Sequence, residues 1–236
     1  MTPKRKQGER AGLTREQVLD AALALVDREG AAALTMRRLG SELGVEAMTL
    51  YNYVPNKAEL LDALVERVCT QALPPEPAQV SPDVDWRGLL RGYADSLRQA
   101  LLRHPRMLPL VATRPAVTPA TLDAVERGLH VLTAVGFPLG RAVDALNALT
   151  LFVVGHTAAE AGIGGGEGGR GSVQWLAGLD SARYPLVVEA ARTGAGVDDA
   201  ARFDFAVRAL LNGFSPAADT PSPDTPHPEA PTHHTP

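Results

Sequence analysis

One cysteine, Cys69, stands in a chain of 236 residues. A single thiol excludes an intrachain disulfide and is most simply a small apolar group in a reduced compartment. Aromatic residues make up 5 % of the chain, so Leu, Val and Ala must fill most of the core that a hydrophobic content of 45 % supports. Positive charge is not in excess: 23 Lys and Arg face 27 Asp and Glu, a formal net charge of −4. A nucleic-acid partner would therefore have to be met by local placement of cations. No apolar run approaches the length of a bilayer span, and the basic N-terminus lacks the apolar stretch of a secretory signal. The expectation is a cytoplasmic protein with no membrane partner. Strand-like alternation competes nowhere with helical spacing, so the fold class expected is all-α.

What is present is a series of capped helical periods. Residues 1–12 carry Lys4, Arg5, Lys6 and Arg10 without a hydrophobic period, as a solvated tail or as a basic arm along DNA. Thr14 and Gln17 form a capping-box pattern, with Leu13 and Val18 as the flanking staple, and open a helix that ends at Gly30. Between Leu34 and Lys57 two short helical patterns meet at Gly44, which suits a turn needing positive φ. Gly40 is small where the two helices would cross. This is helix-turn-helix spacing, and its second helix has few apolar residues and several polar or aromatic ones. Leu39, Val45 and Leu50 are its core. Asn56 and Glu59 then begin a fourth helix with Leu60, Leu61, Leu64, Val65 and Val68 inward. Pro74, Pro75 and Pro77 mark a linker over residues 73–84, so a DNA-binding domain is expected over 13–72.

The order Thr35-x-Arg37-x-Leu39, Leu43-Gly-Val45, Thr49-Leu-Tyr-x-Tyr-Val54 and Asn56-Lys-x-x-Leu-Leu61 resembles the TetR family of transcriptional regulators. The resemblance implies a helical homodimer whose third helix enters the major groove of double-stranded operator DNA and whose second domain binds a small-molecule effector. The chemistry of the residues agrees. Thr49, Tyr51 and Tyr53 offer hydroxyls to phosphate oxygens. Lys57 lies at a helix N-terminus, where free N–H groups and the dipole attract anions. Arg37 supplies a fork for a base or phosphate, Asn52 reaches a base edge or phosphate, and Ala47 and Met48 fit a thymine methyl. The family often has a longer polar residue where Ala47 stands, so base reading is weaker there than phosphate contact. Arg38 is expected to join Arg37, Lys57 and the arm in one basic cluster.

From Trp86 the helical period resumes and runs in segments to Phe214, giving a helical ligand-binding and dimerisation domain over 85–214, followed by a Pro- and Thr-rich tail at 215–236. Broad apolar faces at 139–160 and 199–214, the latter including Leu210, suit two helices per subunit in a four-helix dimer interface. The series Arg103-His-Pro105, Leu110-Val-Ala-Thr-Arg-Pro115, Gly136-Phe-Pro-Leu139 and Phe152-Val-Val-Gly-His156 is similar to the ligand domain of tetracycline-repressor-type regulators. By that similarity Thr113 borders the effector pocket, on the apolar piece that begins at Met107. Leu110 stands where that group has its metal-holding His, which implies a small apolar or amphipathic effector and no tetracycline response. His104 and His156 are either pocket groups or hydrogen-bonded structural residues. His156 and Glu160 share one helix face, but two side chains fall short of a zinc set, so no metal or cofactor is expected. Gly164 to Gly169 formally fits a dinucleotide fingerprint yet lacks its strand and helix, and reads as a loop. The competing classes are a helical enzyme using pocket His and Glu, and a fold of this kind acting through protein partners. No nucleophile–base spacing supports the enzyme.

Overall fold

The computed structural model describes residues 12–72, 81, 83–114, 117–162 and 172–216. Among these, every regular element is a helix. The expected arm and tail, most of the linker and the glycine-rich loop lie outside the described residues.

Four helices build the N-terminal part: α1 (Arg15–Glu29), α2 (Met36–Leu43), α3 (Ala47–Leu50) and α4 (Lys57–Thr70). The capping box at the start of α1 is complete: Gln17 N donates to Thr14 Oγ1, and the Gln17 side chain accepts from Thr14 N. Val18, Ala22, Leu25 and Val26 face inward along α1. They pack with Leu39, Leu50, Leu60 and Leu64 in one continuous core. Each large aliphatic side chain fully buried there contributes about 1.5–3 kcal/mol. Thr35 caps α2, and Gly44 ends it at φ 68° and ψ 27°, the left-handed conformation that suits glycine. Gly40 sits at the crossing with α3: a Cβ there would lie 2.8 Å from the carbonyl oxygen of Val45 and 3.2 Å from Ala47 N. Side-chain loss at residue 40 is what lets the two helices meet.

Helix α3 is shorter than its sequence pattern, spanning Ala47–Leu50 only, with Tyr51–Tyr53 in a turn. Tyr53 N and Val54 N both donate to Leu50 O, at 2.9 and 3.0 Å, and close the element. The cause is Pro55, which has no N–H and disfavours helical backbone at Val54.

The C-terminal part comprises α5 (Trp86–Arg103), α6 (Leu108–Thr113), α7 (Pro119–Ala134), α8 (Leu139–Glu160), α9 (Val173–Ala177), α10 (Pro185–Thr193) and α11 (Asp199–Gly213), with a 3-10 turn, Pro105–Met107, joining α5 to α6. Helix α8 lies at its centre, against α5, α6, α7 and α11. Trp86 at the start of α5 meets Phe137 of the α7–α8 turn edge-on, 5.0 Å between ring centroids. One sequence expectation is corrected, that no apolar run approaches the length of a bilayer span. Helix α8 is long and apolar enough, by length and composition alone, to cross a bilayer. In the fold Ala142, Ala145, Leu149, Val153 and Thr157 on it are buried within the bundle. Helix α10 begins at Pro185, proline being favoured in a first turn. Helix α9 was not expected; Ser172 caps it by accepting from Trp175 N.

The α2–α3 crossing yields a prediction. Alanine in place of glycine would favour a helix by up to about 1 kcal/mol. Overpacking against a fixed backbone carbonyl costs about 1–3 kcal/mol, and this term wins. Gly40→Ala should therefore lower stability in urea denaturation. An unchanged or raised midpoint would contradict the close approach.

Candidate functional site

The exposed edge of the helix-turn-helix carries most of the expected DNA-binding groups. Arg37 on α2, Met48 on α3, Tyr51, Asn52 and Lys57 are exposed, and Thr49 is half-buried. Met48, 72 % exposed, takes no part in the core. Ala47 and Tyr53 are half-buried and pack against the core, Ala47 in the seam with Gly40. Lys57 is the first residue of α4, where Asn56 Oδ1 accepts from Glu59 N at 2.9 Å. That cap occupies one N–H of the first turn and leaves those of Lys57 and Ala58 without intrahelical acceptors.

The neighbouring arginines have opposite fates. Arg38 donates to Glu29 at 2.8 Å and lies 3.4 Å from Glu42. Glu29 holds the Arg38 guanidinium further toward its charged form. The expectation that Arg38 joins a free basic cluster is thereby corrected, and the i,i+4 spacing to Glu42 was the signal for it. Arg67 is likewise tied to Glu16 and Asp20 of α1. Among the described residues Arg37 and Lys57 take no acidic partner, so they remain the cations of this edge.

The expected effector residues do not gather in one place. His104, Met107, Leu110 and Thr113 follow one another from the end of α5 through α6. The His104 ring donates from Nδ1 to Asp27 Oδ2 at 2.8 Å. Met107 is fully buried, and Leu110 packs half-buried on the core. Thr113 is exposed, its hydroxyl donating to Pro109 O at 2.6 Å. His156 lies instead between α8 and α11. Its side chain is 8 % exposed, flanked by the rings of Phe152 and Phe203, with Nε2 donating to Asp199 O at 3.2 Å. Glu160 is held by Arg98, whose guanidinium also sits over the Phe203 ring.

Sequence reading missed one polar group in this domain. Tyr93 of α5 and Thr150 of α8 join hydroxyls at 3.1 Å, and burial raises the phenol's pKa. Tyr93 lies in the helical period that resumes at Trp86, which carries no sign of a partner 57 positions away. Cys69, close enough to influence that phenol, is pushed up to about 11 by burial, which keeps it an unreactive thiol. The ligand domain is fastened to the DNA-binding part from α6 as well, where Arg114 donates to Asp62 and to Ala58 O of α4.

Two family profiles match this architecture. "Bacterial regulatory proteins, tetR family" covers residues 18–64, and "Tetracyclin repressor-like, C-terminal domain" covers residues 77–217. The chain belongs to the TetR family. It is accordingly a ligand-responsive, DNA-binding transcriptional regulator. Similar proteins include the HTH-type transcriptional repressor DrrR1 of Streptomyces coeruleorubidus, 32 % identical over 217 residues, covering 88 % of this chain and 79 % of that one. The class D tetracycline repressor protein of Escherichia coli is 37 % identical over 161 residues, covering 63 % and 70 %. Among solved structures, ActR of Streptomyces coelicolor in complex with actinorhodin superposes with a TM-score of 0.72 at 27 % identity, covering 86 % and 96 %.

The buried imidazole of this TetR family member sets a pH dependence. Burial lowers the His156 pKa below its ordinary 6.5, against an opposing pull from Glu160. The unfolded chain takes up this proton as pH falls through 6.5 while the folded chain resists it. Stability is thus complete above that pH and declines below it. His156→Gln keeps an N–H for Asp199 O and has nothing to titrate. Calorimetry should show a shallower acid decline for the variant, and identical slopes would refute the assignment.

Proposed function

We propose that this TetR family regulator is a homodimeric repressor that grips a palindromic operator and releases it when a small molecule binds the C-terminal domain. The observation that carries the reading is the edge of α2, α3 and the start of α4, where Arg37, Met48, Tyr51, Asn52 and Lys57 are exposed and Thr49 is half-buried. Lys57, Thr49, Tyr51 and Tyr53 serve phosphates; Arg37, Met48 and Asn52 read bases, with Ala47 contributing a methyl contact at most. The similarity to DrrR1 and the tetracycline repressors favours repression over activation. The proposed site of action is the cytoplasm, where the operator is.

Dimerisation is supported by an unfilled apolar stripe. On α8, Val143, Leu151, Gly155 and Ala159 are exposed along one face, with Leu151 at 72 %. On α11, Ala201, Phe205 and Ala209 form a matching row, with Phe205 at 71 %. A two-fold axis through these helices would place two recognition helices on successive major-groove faces, about 34 Å apart. Leu210, also expected at the interface, packs half-buried on its own subunit's core.

The effector proposed is a small apolar or amphipathic molecule. Leu110 packs as an apolar group, and the Tyr93–Thr150 hydroxyl pair supplies polar partners between α5 and α8. The complex of ActR with actinorhodin is a case of a structural relative holding a ligand. Thr113 then acts from the end of α6, Met107 from the core beneath the 3-10 turn, and His104 through its tie to Asp27. An enzymatic reading gains nothing from His156 and Glu160, since the Asp199 carbonyl and Arg98 occupy them. Whatever factor the effector takes from operator affinity, the operator takes from effector affinity.

Operator duplexes selected by the protein from a random library provide the test. Affinity should fall steeply with salt as counterions are released. Lys57→Ala should reduce the salt slope by about one without changing sequence preference. Arg37→Ala should cost about 1–3 kcal/mol and relax one base position, and Tyr51→Phe should weaken all sequences alike. Wild-type affinity and preference in all three would overturn the interface. Separately, Phe205→Glu with Leu151→Glu should yield monomers by sedimentation velocity, and a sedimentation coefficient equal to wild type would refute the stripe as the interface.

A further inference from the structure

The last turn of α1 faces two ways. Toward the ligand domain, Asp27 accepts from His104, the C-cap of α5, and the Arg28 carbonyl accepts from the Arg106 guanidinium of the 3-10 turn. Toward the helix-turn-helix, Arg28 donates to Glu42 at 3.0 Å, and Glu29 accepts from Arg38 at 2.8 Å. Successive helical residues project about 100° apart, so one turn can engage neighbours on different sides. Three consecutive residues, Asp27, Arg28 and Glu29, thus join residues 104–106 to α2.

We propose that this turn is a second coupling element, carrying displacement of residues 104–107 to α2 separately from the contacts that α4 makes with the ligand domain. Its anchoring is specific. The Arg28 carbonyl belongs to the C-terminal turn of α1, whose carbonyls lack intrahelical donors and whose dipole favours a cation, and Arg106 supplies both a donor and a charge. The other oxygen of Asp27, Oδ1, is buried with no protein donor among the described residues, so the carboxylate relies on His104. A shift of the 3-10 turn therefore has to move the end of α1 or leave a half-buried carboxylate without its partner. The exposed pairs to Glu42 and Glu29 add little stability singly. Their role is orientation: they fix α2, which carries Arg37, relative to the end of α1. The consequence for operator binding rests on the DNA-binding role of α2; the coupling itself does not.

Hydrogen exchange on the full-length protein without DNA decides the matter. His104→Phe with Arg106→Met should speed exchange of the α2 amides several-fold and leave the α4 amides at wild-type rates. In a Glu29→Gln, Glu42→Gln background the same pair should produce no further acceleration in α2. Unaltered α2 exchange, acceleration shared equally with α4, or effects that simply multiply would each overturn the proposal. Arg106 is exposed, so Arg106→Met alone folds without a packing change and should shift α2 in the same direction if the double variant fails to fold. Affinity for the selected operator should fall in the same variants. A wild type that selects no duplex would refute the DNA reading, while the exchange rates would still decide the coupling.

Discussion

Everything the DNA-binding edge presents depends on how closely α2 and α3 approach. The Val45 carbonyl occupies the space where a side chain on residue 40 would begin, so the crossing exists only with glycine there. The approach draws Ala47 into the seam and turns Met48 outward. Gly44 in the left-handed conformation and Pro55 at the far end bound the unit, and between them α3 has room for only Ala47–Leu50. A helix this short would not persist alone, since nucleation in isolation is unfavourable. Leu50, buried beneath it, holds it in place through tertiary contact.

The proposed edge would meet an anionic ligand on a protein of net negative charge, and the pairing of side chains reconciles the two. Acidic residues of α1 and α2 are spent on structural arginines: Glu29 and Glu42 on Arg38, Glu42 on Arg28, Glu16 and Asp20 on Arg67. Each pair neutralises an acid that would otherwise repel phosphate. Among the described residues the cations of this edge that take no acidic partner are Arg37 and Lys57, the latter in the first turn of α4. Local arrangement supplies the attraction that the bulk composition lacks.

The histidines of the ligand domain show the same preference for internal ties. His156 steadies the start of α11 against α8, and His104 binds the ligand domain to the end of α1. Arg114 makes an independent connection from α6 to α4. The DNA-binding helices are therefore held to the ligand domain at two separated places, by groups on the stretch from the end of α5 through the end of α6. A regulator needs such a stretch, because an effector acts at a distance only through an element that both states of the protein constrain differently.

Helix class, capping and most boundaries were legible in the residues themselves. Thr14 with Gln17, Asn56 with Glu59, and the glycine at 44 are local signals whose meaning does not depend on what lies elsewhere in the chain. The DNA-binding stretch was legible for the same reason: its function rests on a contiguous motif of about two dozen positions. Arg38 was half legible, since Glu42 stands one turn along but Glu29 belongs to another helix. The rest was decided by contacts between residues far apart in sequence. Tyr93 meets Thr150, His104 meets Asp27, and Arg98 meets Glu160, at separations of 57, 77 and 62 positions. No periodicity encodes such pairings, because a helical repeat specifies which face is buried and not what it is buried against. The sequence by itself determined an all-helical regulator with its recognition motif; the tertiary structure alone decided which polar side chains were left free to meet a partner and which were consumed in holding the two parts together.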